Sequence, residues 1–222
     1  YFLDFAVGQC VKRIAYAASF GTSDWEFSRK QTRRCAALAK QFDAISVRED
    51  CGVALCKKYL GVDAVHLLDP TMLLNKEDYI YLVEQEQTSA SGNKLMTYVL
   101  DQSEKKQAIV RKVSQTLGLS PNVVMPEMNF SQVGKKYINQ CVFPPVTDWL
   151  RGFMDAEYVI TDSFHGTVFS ILFNKPFVVM ANRERGMARL TSLLKKFKLE
   201  ERWVHSLEDV TDKMLYAPVD FA

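Results

Sequence analysis

The sequence lacks several features that would define a protein class at once. No apolar run approaches the roughly 20 residues that a membrane-spanning helix needs. The 28 basic residues nearly balance the 26 acidic ones, so the net charge is only +2. A balance of this kind produces no overall field for nucleic acid, and we expect no nucleic-acid partner. Neither half of the chain has a G-x-G-x-x-G after its first strand, which leaves a dinucleotide site unsupported.

Cysteine is present in an odd number and without metal-site spacing. No Cys-x-x-Cys pair of a redox or zinc motif occurs among the five. We therefore expect reduced, mostly packed thiols in a cytoplasmic protein. We also expect no metal and no organic cofactor. The five residues are Cys10, Cys35, Cys51, Cys56 and Cys141.

Strand-like and helix-like patterns alternate along the chain, which predicts an α/β fold with parallel sheets. Strands are predicted over residues 13–18, 44–47, 62–67, 94–100, 122–125, 158–161 and 177–180. The first helix between them is predicted to run from a cap at Ser23 or Asp24 through about residue 40. The other helices are predicted over residues 49–60, 75–86, 103–117, 146–154, 166–173 and 187–197. The stretches 126–145 and 87–93 lack periodicity, and the second of them, QTSASGN, is typical of a linker.

Two alternating series around this linker predict two Rossmann-like domains, residues 1–90 and 91–222. The first series has only three strands and therefore looks incomplete. The chain also begins with Tyr1 rather than Met and runs almost at once into a strand pattern. We expect that an upstream part of a longer protein precedes it. Ligands of such folds bind beyond the carboxyl ends of the strands, where two facing domains would form a cleft.

The segment YVITDSFHGTVFSILF, residues 158–173, carries the clearest chemical pattern. A short apolar run ends in a polar turn, and a titratable ring, His165, precedes an apolar helix. The start of a helix offers backbone N–H groups at the positive end of its dipole, which suits a phosphate or carboxylate. Residue chemistry alone fits two roles for His165: an acid/base beside an anion, or a packed ring that orients the turn.

The neighbours of His165 admit similar alternatives. Asp162 fits a cap of the helix, a partner that orients the imidazole, or an acceptor of a hydroxyl proton. Ser163 fits either an anion contact or a cap. Gly166 allows the backbone to approach a ligand or the strand behind it. Thr167 fits first-turn structure or a ligand contact through its N–H.

Three blocks of sequence resemble the polysaccharide pyruvyl transferase family: AYAASFG at residues 15–21, ISVRE at 45–49 with LDPT at 68–71, and ITDSFHGT at 160–167 with NKPF at 174–177. The resemblance implies two Rossmann-like domains in a GT-B-like arrangement. This chain would then hold the later part of the first domain and most of the second. It also implies transfer of a pyruvyl group from phosphoenolpyruvate onto a sugar, as a ketal.

The resemblance also implies roles for single residues. His165 takes the place of the family's catalytic histidine, and Arg48 that of an arginine that contacts the donor. The alternative for Arg48 is a salt bridge to Glu49 or Asp50. Some members have an arginine two residues before the histidine, where this chain has Ser163. Arg183, with Arg185, is then a candidate substitute for binding the donor phosphate, or part of a solvated pair.

The expected partners are phosphoenolpyruvate and a sugar or oligosaccharide acceptor of a cell-surface polysaccharide. A membrane-bound glycolipid acceptor would imply peripheral association with the membrane. Two alternatives remain: a GT-B-type glycosyltransferase with a sugar-nucleotide donor, and a non-catalytic polysaccharide-binding domain.

Overall fold

A computed structural model describes residues 2–86, 92, 94–126, 128, 130–133, 135–182 and 186–221 of the protein. The chain divides into two compact units. Unit 1 comprises Tyr1–Leu73 and Arg183–Lys198, and unit 2 comprises Leu74–Asn182 and Leu199–Ala222. None of the described helices combines the length and apolarity that crossing a membrane requires.

Unit 1 contains a three-stranded parallel sheet in the order β1-β2-β3. The strands are β1 (Ile14–Ala18), β2 (Ala44–Val47) and β3 (Val65–His66). The helices are α1 (Arg29–Ala39) and α2 (Asp50–Leu55), which continues as a π-helical turn over Cys56–Leu60, and α8 (Ala188–Phe197) near the end of the chain. Short 3-10 turns occupy Asp4–Ala6 and Pro70–Leu73.

Strand β1 contains an irregularity close to its carboxyl end. Its register with β2 shifts between Ala15 and Ala18, and the buried Ala17 adopts a left-handed backbone with φ of 46°. The Ala17 N–H donates to the Ser46 hydroxyl at 2.7 Å. A non-glycine residue at positive φ is uncommon and costs free energy, so the surrounding contacts must hold this bulge in place.

Unit 2 contains a five-stranded parallel sheet in the order β5-β4-β6-β7-β8. The strands are β4 (Leu95–Tyr98), β5 (Pro121–Val123), β6 (Tyr158–Thr161), β7 (Phe177–Met180) and β8 (Trp203–Val204). The helices are α3 (Lys76–Gln85), α4 (Glu104–Leu117), α5 (Phe130–Val133), α6 (Val146–Asp155), α7 (Phe164–Leu172) and α9 (Asp212–Tyr216), with 3-10 turns at Lys135–Cys141 and Glu200–Arg202.

The strand order of unit 2 is that of a doubly wound sheet, in which the chain steps to one side of β4 and then returns to its other side. Strands β6 and β7 are buried along their whole length, as expected for central parallel strands. Apolar side chains of β4, β6, β7 and β8 form a core with those of α4 and α9. Its buried members are Leu95, Val99, Ile109, Val113, Tyr158, Ile160, Val178, Met180, Val204, Val210 and Leu215.

These elements confirm a mixed α/β fold with parallel sheets, and three of the predicted strands have the observed bounds. The GT-B-like arrangement of two Rossmann-like domains remains a prediction. The domain ranges 1–90 and 91–222 remain predictions too. In the structure the chain passes from one compact unit to the other near residues 73, 182 and 198. The five cysteines are free thiols, but only Cys56 is buried and Cys10 is exposed, so the expectation that most of them are packed is wrong.

The structure differs from the predicted local structure at two places, and a third place is largely outside the described residues. Helix α1 begins at Arg29, and its cap is Ser28 instead of Ser23 or Asp24, because Ser28 and Gln31 form a reciprocal capping box. The stretch 126–145 is not wholly irregular, since it contains α5 and a 3-10 turn. The predicted linker 87–93 lies outside the described residues, apart from residue 92.

Candidate functional site

The turn that carries His165 lies at the point where the sheet of unit 2 reverses its strand order. It follows the carboxyl end of β6, and β6 pairs directly with β4. The chain leaves β4 for β5 on one side and later enters β6 on the other. In doubly wound sheets the crevice outside the carboxyl ends of the strands at this reversal is the usual ligand site. The His165 turn therefore occupies the position where a ligand of unit 2 is expected.

Asp162 is a fully buried carboxylate that ties the end of β6 to the end of β4. Its Oδ1 accepts from the Leu100 N–H at 2.7 Å, and its Oδ2 accepts from the Asp101 N–H at 3.2 Å. The Lys106 ammonium donates to the same Oδ2 at 2.5 Å, and the Asn182 amide donates to it at 3.0 Å. With four donors around it, this carboxylate fixes the backbone of the turn and is itself neutralised by Lys106.

The cap of helix α7 is Ser163, whose hydroxyl accepts from the Gly166 N–H at 3.3 Å. Its carbonyl oxygen in turn accepts from the N–H and from the hydroxyl of Thr167, both at 3.0 Å. Ser163 and Thr167 are both buried. Their side chains therefore serve the first turn of the helix, and that they also contact a substrate stays a prediction.

Gly166 allows helix α7 to lie directly against strand β6. A Cβ atom at this position would stand 2.1 Å from the Thr161 hydroxyl oxygen and 2.9 Å from the Thr161 Cβ. Between the two alternatives from the sequence, the geometry favours close approach to the strand. The same Thr161 hydroxyl donates to the Tyr98 carbonyl at 2.7 Å, so the glycine lies over another link between β6 and β4.

His165 is the exposed residue in this otherwise buried stretch. The four residues before it and the six after it are all buried. Its ring makes an edge-on contact with the ring of Phe164, with centroids 5.4 Å apart. Because Asp162, Ser163 and Gly166 fix the backbone around it, the imidazole has a defined position at the positive end of α7. The sequence left open whether this ring packs or meets an anion, and its exposure is compatible with contact with a solute.

Arg48 lies in unit 1, directly after strand β2, and its guanidinium contacts Asp69 and Ala17. Its Nη1 forms an ion pair with the Asp69 carboxylate at 2.7 Å, and its Nε donates to the Ala17 carbonyl at 3.2 Å. Thr71 in turn holds Asp69, through its N–H at 3.0 Å and its hydroxyl at 2.7 Å. Arg48 therefore forms an ion pair with Asp69. The alternative drawn from the sequence, a salt bridge to Glu49 or Asp50, is wrong about the partner.

A second arginine near Arg48 was not identified from the sequence. Arg189 lies in the first turn of α8 and is half-buried. Burial lowers the pKa of its guanidinium and the charge of Arg48 lowers it further, while Glu49 and Asp69 act in the opposite direction. The sequence favoured Arg183 and Arg185 instead, and both lie outside the described residues. In the sequence, Arg189 is recognisable only as a basic residue in the first turn of a predicted helix, and this pattern is too common to indicate a binding site.

The structure thus gathers His165, Asp162, Ser163, Gly166 and Thr167 in one turn of unit 2, whereas Arg48 belongs to unit 1. Within the described part of the chain, no three His, Cys, Asp or Glu side chains form a group that could hold a metal ion.

Similarity to solved structures is low. A structure of the wall teichoic acid polymerase TagF with CDPG matches with a TM-score of 0.40 and 14% identity, over 76% of this chain and 45% of that one. A second TagF structure gives a TM-score of 0.39 and 13% identity, over 76% and 46%. This chain therefore spans less than half the length of these neighbours, and likeness at this level carries no conclusion about substrate or mechanism.

Similarity at the level of sequence families is more informative. No curated protein matches the chain. A family model described as polysaccharide pyruvyl transferase matches residues 1–184, which include both Arg48 and the whole His165 turn. The match covers most of the chain, and the chain belongs to the polysaccharide pyruvyl transferase family.

Proposed function

We propose that the protein transfers a pyruvyl group from phosphoenolpyruvate to a sugar of a cell-surface polysaccharide or its lipid-linked precursor. Membership of the family supports the class of reaction. The observation that carries the proposal is the exposure of His165 at the carboxyl edge of the unit 2 sheet, on a turn otherwise buried and fixed by Asp162. The proposal includes the GT-B-like arrangement of two Rossmann-like domains and a cytoplasmic location, where phosphoenolpyruvate is available.

Ketal formation moves two protons, and His165 is suited to carry them. Two sugar hydroxyls add in turn to C2 of phosphoenolpyruvate, and the bond from C2 to the phosphate oxygen breaks. One hydroxyl proton ends on the methylene carbon, which becomes the methyl group, and the other leaves with inorganic phosphate. An imidazole can accept and return these protons near neutral pH, and a positioned group of this kind contributes ~10²–10⁴-fold to a rate. Neither a metal ion nor an organic cofactor takes part in this scheme.

Arg48 is the proposed contact for the anionic donor. Its ion pair with Asp69 and its bond to Ala17 fix the plane of the guanidinium, and a fixed guanidinium binds carboxylate or phosphate with a smaller loss of side-chain entropy. The chain has Ser163 where some family members have a further arginine. Arg189 is a candidate for that missing cation in addition to Arg183, because it lies near Arg48 and is partly desolvated.

Asp162 was a catalytic candidate, and we propose a positioning role for it. Its carboxylate already accepts four hydrogen bonds and pairs with Lys106, which leaves a poor acceptor for a sugar hydroxyl proton. Ser163, Gly166 and Thr167 contribute by building the same turn.

Replacement of His165 by alanine tests the proposal. In the full-length protein, we expect His165→Ala to lower phosphate release from phosphoenolpyruvate and a sugar acceptor by about 10²–10⁴-fold. Because His165 is exposed, folding should be unaffected. His205→Ala is the matched control, since His205 is also an exposed histidine of unit 2, and its rate should stay within about twofold of wild type. A His165→Ala protein with more than about a tenth of the wild-type rate would exclude the acid/base role.

The same protein preparation separates the alternative functions. A glycosyltransferase would be stabilised against thermal unfolding by uridine or guanosine diphosphate and would release no phosphate from phosphoenolpyruvate. A non-catalytic binding domain would bind saccharide but form no product with either donor.

A further inference from the structure

Unit 1 contains a cavity of about 720 Å³ at the carboxyl edge of its sheet. Its walls come from the loop after β1, from the start of α2 and from the start of α8. The volume falls within the roughly 300–1,000 Å³ typical of small-molecule sites. The lining residues that matter for its chemistry are Phe20, Thr22, Ser23, Glu26, Asp50 and Thr191.

The lining is acidic and rich in hydroxyl groups. Thr22, Ser23 and Thr191 can each donate and accept a hydrogen bond, and Glu26 and Asp50 add carboxylate acceptors. Among the described residues that line the cavity, none is a lysine or an arginine. Phosphoenolpyruvate carries a phosphate and a carboxylate, and the carboxylates of Glu26 and Asp50 repel it. A neutral polyhydroxy ligand, in contrast, has the donors that carboxylates and hydroxyls accept.

Asp50 has a fixed carboxylate that stays ionised. Its Oδ1 accepts from the Ser192 hydroxyl at 2.8 Å and from the Cys51 N–H at 2.7 Å. The hydrogen bond from Ser192 holds the pKa of Asp50 below its ordinary value, and the Cys51 N–H acts in the same direction. Its other oxygen, Oδ2, lies 3.6 Å from the Lys195 ammonium and is turned toward solvent on one side. Asp50 therefore presents a charged acceptor of defined orientation.

Cys51 remains a neutral thiol at the same wall. Burial raises its pKa, and the charges of Glu49 and Asp50 raise it further. A thiol in that state is a poor nucleophile and a weak metal ligand, so covalent or metal chemistry is not favoured in this cavity.

Contacts within the protein hold the walls of the cavity in place. The buried Glu49 carboxylate accepts from the Gly21 N–H at 3.0 Å, from the Phe20 N–H at 3.3 Å and from the Ser19 hydroxyl. A Cβ atom at Gly186 would lie 2.2 Å from the Gly21 carbonyl oxygen, so the two backbones touch. A preformed site of this kind loses little free energy in ordering when a ligand binds.

We propose that this cavity binds a neutral pyranose, a hexose or an N-acetylhexosamine, and discriminates against uronic acids. Glu26, Asp50 and the three hydroxyl side chains would hydrogen-bond to the sugar hydroxyls, and the Phe20 ring would cover an apolar face of the ring. That the bound sugar is the acceptor rests on the function proposed above. The described residues that line the cavity do not include Arg48 or Arg189, the described arginines assigned to the donor.

The test uses the full-length protein with 4-nitrophenyl hexosides and N-acetylhexosaminides as probes, and the corresponding glucuronide as the charged analogue. Binding is followed by saturation-transfer NMR, and phosphate release from phosphoenolpyruvate is measured with the same probes. Ser23→Trp fills the cavity from an exposed position on its wall, and Lys30→Trp, on the outer face of α1, is its control. Glu26→Gln removes one charge of the lining, and Asp24→Asn removes a charge two residues away that does not line the cavity.

The proposal expects binding of a neutral probe that Ser23→Trp abolishes and Lys30→Trp leaves unchanged, with the thermal shift by phosphoenolpyruvate retained in both. It also expects Glu26→Gln, but not Asp24→Asn, to reduce the preference for neutral probe over glucuronide by roughly fivefold. This is the effect of removing the repulsion between two unit charges about 4 Å apart in water. Neutral-probe binding that survives Ser23→Trp would overturn the proposal. A Ser23→Trp protein that loses phosphoenolpyruvate binding but keeps neutral-probe binding would also overturn it.

The two proposals fail in different ways. If probes bind in a Ser23-dependent manner but no phosphate is released with any of them, the sugar site stands and the pyruvyl transfer does not. If wild-type protein and Ser23→Trp release phosphate at the same rate with the same acceptor KM, the pyruvyl transfer stands and the sugar site does not.

Discussion

Each unit uses a buried carboxylate to hold the loop after a neighbouring strand, but the two loops are used differently. In unit 2, Asp162 follows β6 and accepts from backbone N–H groups after β4. In unit 1, Glu49 follows β2 and accepts from backbone N–H groups after β1. The turn after β6 is filled by its own side chains and exposes one ring, His165. The loop after β1 leaves a cavity beside it.

The difference bears on the two proposed sites. Around Asp162 the donors include the ammonium of Lys106, so the carboxylate is neutralised and the turn is closed. Around Glu49 no lysine or arginine of the described chain forms an ion pair, and the loop is held by N–H and hydroxyl donors alone. A closed turn positions one reactive side chain, while a loop held at one edge provides a surface for many weak polar contacts.

The largest effect is expected at Asp162. Asp162→Asn removes the charge that pairs with the largely buried Lys106 ammonium and turns an amide toward one of the donors. Breaking a buried pair in this way costs about 3–5 kcal/mol of unfolding free energy. Glu49→Gln is the comparison in unit 1: it keeps one carbonyl oxygen and breaks no ion pair with a lysine or arginine that the structure describes, so we expect a cost of about 1–2 kcal/mol.

Urea unfolding of both variants measures the total cost, and hydrogen exchange locates it. Exchange of the Leu100 and Asp101 amides should rise in Asp162→Asn, and that of Phe20 and Gly21 in Glu49→Gln. Equal costs for the two variants would mean that Lys106 contributes nothing and that the comparison between the loops is wrong.

The next effect concerns the contact between helix and strand in each unit. Gly166→Ala would place a methyl group 2.1 Å from the buried Thr161 hydroxyl, where backbone and side chain are both fixed. Overpacking of this kind costs typically 1–3 kcal/mol, and we expect the upper part of that range.

Gly52→Ala is the matched change in α2 of unit 1, where the nearest atoms are side-chain carbons of Phe20 and Val47 at 3.2 Å. At 3.2 Å these contacts require a shift of only a few tenths of an ångström, and alanine favours the helix by up to about 1 kcal/mol. The change in unfolding free energy should therefore be small. Urea midpoints that fall equally in Gly166→Ala and Gly52→Ala would show that α7 is no more closely seated than α2.

The sequence predicts the turn better than it predicts the partners of its side chains. Strands 44–47, 158–161 and 177–180 are apolar runs ended by polar or turn-forming residues, and their bounds were predicted correctly. The ionic partners were not predicted, because Asp69 and Lys106 reach Arg48 and Asp162 from distant parts of the chain. No local pattern specifies a contact that depends on which strands are neighbours.

Errors in the predicted fold have a similar cause. The start of α1 was misplaced because Ser23 and Asp24 are also good caps, whereas Trp25 packs its ring on Tyr59 at 4.5 Å and Ser28 provides the cap. Strand β8 and helix α9 were missed, since two and five residues are too short for a periodic pattern. The cavity in unit 1 combines three separate segments, and only the fold brings them together.

The smallest effect on unfolding free energy at neutral pH is expected at the amino end of β6. Unit 2 buries a titratable side chain there, Tyr158, whereas the central strand of unit 1, β2, has no titratable residue. Burial raises the pKa of Tyr158 to about 12, against an opposing effect of Arg202. The unfolded phenol ionises near 10, so the folded state holds this proton more tightly. Its contribution to stability is complete below about pH 10 and is lost as the pH rises through 12.

Tyr158→Phe removes this ionisation, and at pH 7 we expect a change in unfolding free energy within about 1 kcal/mol. Between pH 10 and 12 the wild-type protein should lose up to about 2.7 kcal/mol relative to the variant, which is two pKa units at 1.36 kcal/mol each. Urea unfolding at pH 8, 10 and 11 measures the difference, with the exposed Tyr81→Phe as control. Parallel pH profiles for wild type and Tyr158→Phe would show that the amino end of β6 opens to water before the phenol ionises. The strand would then be held firmly only at its carboxyl end, by the hydrogen bonds of Asp162.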